Sequence, residues 1–75
     1  MKREIYKVYH CDDFYEICHS IAQIIDYLNY LKTWGVDLTI AIYYKEQGDK
    51  YYCPFLRAEL EDSLIILKEK LLKNT

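Results

Sequence analysis

The chain has 75 residues, with 10 Lys and Arg against 12 Asp and Glu, for a formal net charge of -2 at pH 7. That balance argues against a protein that coats long DNA or RNA, where a strong basic excess is the rule, but leaves a small nucleotide open. Apolar residues make up 52%, above the ~45–50% of ordinary globular chains, which argues against disorder.

Residues 1–75 read as one small domain. A chain of this size buries only roughly 60–65% of the surface its unfolded form exposes. The apolar surplus therefore points to self-association or a partner. Three cysteines, Cys11, Cys18 and Cys53, cannot all pair within one chain. The first residues, "MKREIYK", are charged and carry no apolar signal region, and no apolar run nears the ~20 residues of a membrane span. Free thiols in a reducing cytoplasm, and no membrane, are the expectation. Nine tyrosines stand out; AT-rich codon usage and a binding role would each supply them.

The first segment, "REIYKVYH", favours a strand through Ile5, Tyr6, Val8 and Tyr9. It is apolar on both sides, which suits a strand covered twice or lying at an interface. Next, Phe14, Ile17, Cys18, Ile21, Ile24, Ile25, Leu28 and Leu31 fall at helical spacing. Asp13 and Glu16 read as a capping box, and Gly35 suits the left-handed position after the last turn, with Val36 able to touch Leu31. A helix over about Phe14 to Trp34 follows.

"VDLTIAIYYK" alternates strictly and predicts a strand with one buried face. "EQGD" reads as a hairpin loop, returning through the short strand "KYYCPF". Pairing Lys45 with Lys50 places Tyr43 opposite Tyr52 on the outer face, and Pro54 ends that strand or marks an edge. The last segment, about Leu56 to Lys73, predicts a second helix with the stripe Leu56, Leu60, Leu64, Leu67 and Leu71. Its acids lie early and its lysines late, matching the helix dipole. Ile66 stands off the stripe and is the candidate for self-association.

The resulting order is β-α-β-β-α. It predicts an α+β fold, a three-stranded sheet with two helices packed on one face and the other face open. The first two strands run parallel if adjacent; a third strand between them would leave the first antiparallel to it. The sequence shows no internal repeat.

One stretch invites a chemical reading: "HCDDFYEICH", residues 10–19. Zinc sites supply ligands as close pairs such as C-x₂₋₄-C, whereas Cys11 and Cys18 are six residues apart, and Cys18 belongs to an apolar stripe. A thiol at Cys11 gains from a helix N-terminus but is opposed by Asp12 and Asp13. With Gly35 and Gly48 its two glycines, the chain has no phosphate loop. No enzyme, metal or cofactor is expected.

The open sheet face carries the binding expectation. Tyr43 and Tyr52 with Lys45 and Lys50 can anchor a protein partner, or stack on a base and hold a phosphate. In length and lack of catalytic apparatus the chain is similar to short phage-encoded inhibitors of bacterial defence. That similarity implies either occlusion of a larger protein or sequestration of a nucleotide signal. A self-associating inhibitory module that engages a larger protein is the first reading, and an oligomeric nucleotide sink the second.

Overall fold

The structure, a computed structural model, describes residues 3–11, 14–35 and 38–73. Its elements are β1 (Glu4–Cys11), β2 (Phe14–Cys18), α1 (Ile21–Thr33), β3 (Thr39–Glu46), β4 (Cys53–Glu59) and α2 (Leu60–Lys73). The strands form one sheet in the order β2-β1-β3-β4, antiparallel throughout. The fold is α+β with two helices, but the sheet has four strands rather than the expected three.

The extra strand is β2, where a helix was expected to begin. Phe14, Tyr15 and Ile17 match helical spacing, yet all three are exposed, and Cys18 is the first residue of that stripe to reach the core. Aromatic and β-branched residues favour the pleated conformation, and a hairpin back onto β1 satisfies their backbone groups.

The helix starts at a different capping motif. Ser20 Oγ accepts the Gln23 backbone N–H at 3.1 Å, and Gln23 Oε1 accepts the His19 N–H at 2.8 Å. "SIAQ" is an S-x-x-Q box seven residues after the Asp13–Glu16 pair that mimics it. Asp13 and Val36 lie outside the described residues. At the other end Gly35 has φ +70° and donates its N–H to the Lys32 carbonyl, the left-handed helix stop that glycine adopts without strain.

The extra strand also settles strand direction. One added reversal before α1 makes β1 and β3 neighbours and antiparallel, so neither expected arrangement forms. The second hairpin is longer than expected too. Glu46 accepts the Asp49 N–H, with Gly48 at φ +100° inside that turn. The chain then runs on before pairing resumes at Tyr44 with Cys53.

Phe55 is an extra residue between the pairs Tyr43–Pro54 and Ile42–Leu56. This bulge brings its ring within 5.2 Å of Tyr6 and 6.1 Å of Tyr44. Residues 56–59, expected as helix, therefore continue β4. The switch falls at Leu60, whose N–H donates to the Leu38 carbonyl.

Both helices cover one face of the sheet. Tyr6, Val8, Cys18, Ile40 and Ile42 pack there against Ile24, Leu28, Leu64 and Leu67. Each fully buried aliphatic side chain of this kind stabilises by about 1.5–3 kcal/mol. Ser63, fully buried, donates its hydroxyl to the Ala58 carbonyl at 3.2 Å. The Cα atoms span only 16 Å in the thinnest direction, the depth of one sheet and one helix layer.

The element order is ββα twice, and the sheet order β2-β1-β3-β4 maps onto itself when the halves exchange. Placing Val8 on Ile42 carries Tyr9 onto Tyr43, Lys7 onto Ala41, Ile17 onto Arg57 and Cys18 onto Ala58, and the ladder partners of Tyr6, Lys7 and Val8 fall on those of Ile40, Ala41 and Ile42. Val8 and Ile42 themselves face each other across the central ladder, so the pseudo-twofold axis passes between them. The repeat absent from the sequence is present in the fold, because a twofold arrangement needs matching burial patterns and not matching residues.

Candidate functional site

Alternation along the two inner strands sets what faces away from the helices. With Tyr6, Val8, Ile40 and Ile42 turned inward, Lys7 and Tyr9 of β1 and Ala41, Tyr43 and Lys45 of β3 turn outward. The ladders extend these into rows. One row runs Ile17, Lys7, Tyr43, Pro54, and the next runs Tyr15, Tyr9, Ala41, Arg57.

Aromatic rings hold the two lysines of this face in place. Lys7 Nζ lies 4.7 Å from the Tyr15 ring centre and 4.8 Å from that of Tyr52, and Lys45 Nζ lies 5.1 Å from Tyr52. Such contacts are each worth about 0.5–1 kcal/mol at exposed sites. Tyr9 packs on Tyr15 at 5.2 Å and meets Tyr43 edge to face at 5.7 Å. Among the described residues no ion pair engages Lys7, Lys45 or Arg57. The face is thus locally cationic on a chain of net negative charge.

Ala41 leaves a gap in its row. Around it lies an open hollow of about 880 Å³, lined by Tyr9, Tyr43, Tyr52, Lys7 and Arg57 together with His10 and Leu38. The His10 ring packs between Phe14 and Tyr27, at 6.4 and 5.7 Å. From there an aromatic line continues along α1 through Tyr30 to the exposed Trp34.

The four expected site residues are placed unequally. Tyr43 and Tyr52 both line the hollow, but Tyr43 stands opposite Pro54, not Tyr52. The longer hairpin leaves Tyr52 outside the strands, reaching the face through its lysine contacts. Lys45 touches Tyr52 and donates to the Asp49 carbonyl at 3.2 Å. Lys50 lies exposed in the connection before β4 and does not line the hollow. Ile66 sits on α2, on the opposite side of the sheet, partly exposed beside the more exposed Ile65.

Lys7, Tyr9, Tyr15 and Arg57 were missed. The alternation of Lys7 and Tyr9 in "YKVYH" was the available signal, whereas Arg57 was concealed by the helical reading of its segment.

Of "HCDDFYEICH", Asp12 and Asp13 lie outside the described residues, while both histidines and Cys18 make structural contacts. His19 Nδ1 is 3.0 Å from the Glu4 carbonyl. Cys18 is buried, and burial with the nearby Glu16 carboxylate pushes its thiol up to about 11, leaving it protonated and unreactive at neutral pH. Among the described residues no group of three or more His, Cys, Asp and Glu is arranged to hold a metal ion. Nor is any described helix long and apolar enough to cross a membrane. Comparison with protein families, curated proteins and solved structures finds no match.

Proposed function

We propose that this protein is a non-enzymatic inhibitory module that seats an acidic surface of a larger protein against its open sheet face. The observation that carries the reading is the set of cations, Lys7, Lys45 and Arg57, on a tyrosine-covered face with, among the described residues, no ion pair engaging them. Tyrosine and arginine are the residues that dominate interface energetics. Rings that already fix the lysine side chains lower the entropy lost on docking. Self-association around Ile66, on the helix side, leaves this face free, and the cytoplasm is the compartment its free thiols suit.

Capture from a host lysate followed by reconstitution with the purified partner tests this. The double variant Lys7→Glu, Arg57→Glu should weaken binding by about 100-fold, since each charge meets a like one on the partner. Ile66→Glu should leave the partner affinity unchanged. Binding should also fall with added salt. Equal affinity for the folded double variant and the wild type overturns the proposal.

A further inference from the structure

The hollow over Ala41 has a shape and chemistry that a protein interface does not require. Its volume of about 880 Å³ falls within the ~300–1,000 Å³ typical of small-molecule sites. The pseudo-twofold relation shows how it arises. Tyr9 and Tyr43 are equivalent and meet across the axis, but Lys7 on one side has Ala41 as its counterpart, and Ile17 has Arg57. One half thus presents an ammonium where the other presents a gap with a guanidinium beside it.

The tyrosine pair offers a stacking surface. Its planes meet at 90°, so a flat base stacks on one of the two rings; Tyr9 already packs on Tyr15, which leaves Tyr43, a lining residue of the hollow, as the stacking ring. Across the gap, Arg57 stands two strands from Tyr9, a backbone separation of about 10 Å at the usual strand spacing. Its planar fork matches a phosphate in two parallel hydrogen bonds, and Lys7 lines the same hollow. Glu59, opposite Thr39 and two residues beyond Arg57, is a carboxylate near this end of the face and does not line the hollow.

A ring surface, a gap floored by a methyl group and a guanidinium that, among the described residues, no ion pair engages match one compact chemical class. We infer that the hollow binds a nucleoside monophosphate, its base on the Tyr43 ring and its phosphate on Arg57. This site is additional to the docking role proposed above. A ligand held there covers Tyr43 and Arg57 and therefore competes with the larger partner.

Thermal shift and titration calorimetry with AMP, GMP, CMP and UMP test the site on the full chain, with the matching nucleosides and inorganic phosphate as probes of each half of the ligand. At least one monophosphate should raise the melting temperature in a concentration-dependent way. Its nucleoside and free phosphate should each bind about tenfold more weakly or worse, because each lacks one of the two contacts. Arg57→Gln should weaken the monophosphate by about tenfold or more, and Ala41→Leu, which fills the gap from an outward position, should abolish binding.

Failure of all four monophosphates to bind below about 1 mM overturns the inference. So does free phosphate binding as tightly as the nucleotide, or a folded Arg57→Gln variant that binds like the wild type. If partner binding still depends on Lys7 and Arg57 while no nucleotide binds, this inference alone falls and the docking role stands.

Discussion

Tyr9 and Tyr43 occupy equivalent positions in the two ββα halves and meet edge to face, centroids 5.7 Å apart. Neither lies in the main core, so the contact stabilises the join between halves from the solvent side. A double-mutant cycle with Tyr9→Leu and Tyr43→Leu, followed by urea unfolding, should give a coupling energy of about 0.5–1.5 kcal/mol. A coupling indistinguishable from zero would show that the rings are neighbours without mutual stabilisation.

The start of α1 rests on Ser20. Ser20→Ala removes the oxygen that accepts the Gln23 N–H and should cost about 1 kcal/mol, read as a lower urea midpoint with an unchanged slope. Ser20→Asp should retain most of the stability, since its carboxylate can accept the same N–H.

Alkaline pH should destabilise the protein. Burial first, and then the Glu4 carboxylate, hold the Tyr6 phenol well above its usual range. Partial burial and Glu46 raise Tyr44, and Cys18 rises from an ordinary 9.0 to about 11. The folded state keeps these protons where the unfolded chain gives them up, so stability is full below about pH 9 and declines as pH climbs toward the folded values. Unfolding midpoints measured from pH 7 to 11 should fall along the upper limb, and Tyr6→Phe should make that limb shallower.

Two apolar residues on α2 should behave in opposite ways. Leu67 is fully buried and Ile65 is 57% exposed. Leu67→Ala should cost about 2–5 kcal/mol through lost packing and a cavity, a large share of the ~5–15 kcal/mol that holds a typical domain. Ile65→Ala should stay within about 0.5 kcal/mol. Thermal melts of the two variants check the contrast.

The elements with strong periodicity were legible in the sequence. β3, the body of α1 and the end of α2 fall where alternation and helical spacing place them, because burial on one face enforces those periods, and β1 falls where its β-favouring residues place it. Two five-to-six-residue stretches misled. Phe14–Cys18 and the residues after Pro54 have apolar spacing that continues smoothly into the helix behind them, and so short a strand cannot be told from a first helical turn by period alone.

The "SIAQ" box was the deciding local signal for the first stretch, and it competed with "DFYE". For the second, Pro54 signals either a strand end or an edge, and the sheet order makes it an edge, with β4 continuing past it. The candidate face inherited these errors: Tyr43 and Lys45 were read from a correct strand, Arg57 was lost with an incorrect helix, and the Tyr43–Tyr52 pairing failed with the hairpin register. The bulge at Phe55 was invisible because it answers to the long-range fit against Tyr6 and Tyr44.

The duplicated ββα arrangement has a consequence for how the chain folds. Each hairpin and its helix draw on near neighbours, whereas the β1–β3 ladder joins residues such as Glu4 and Glu46, a loop of roughly forty residues whose closure entropy grows only slowly with length. Docking of two locally formed halves should then be the slow event, as it is for two unlike subunits joined by a tether. Severed between Trp34 and Leu38, the two fragments would each expose one inner strand edge, and each edge is the template for the other.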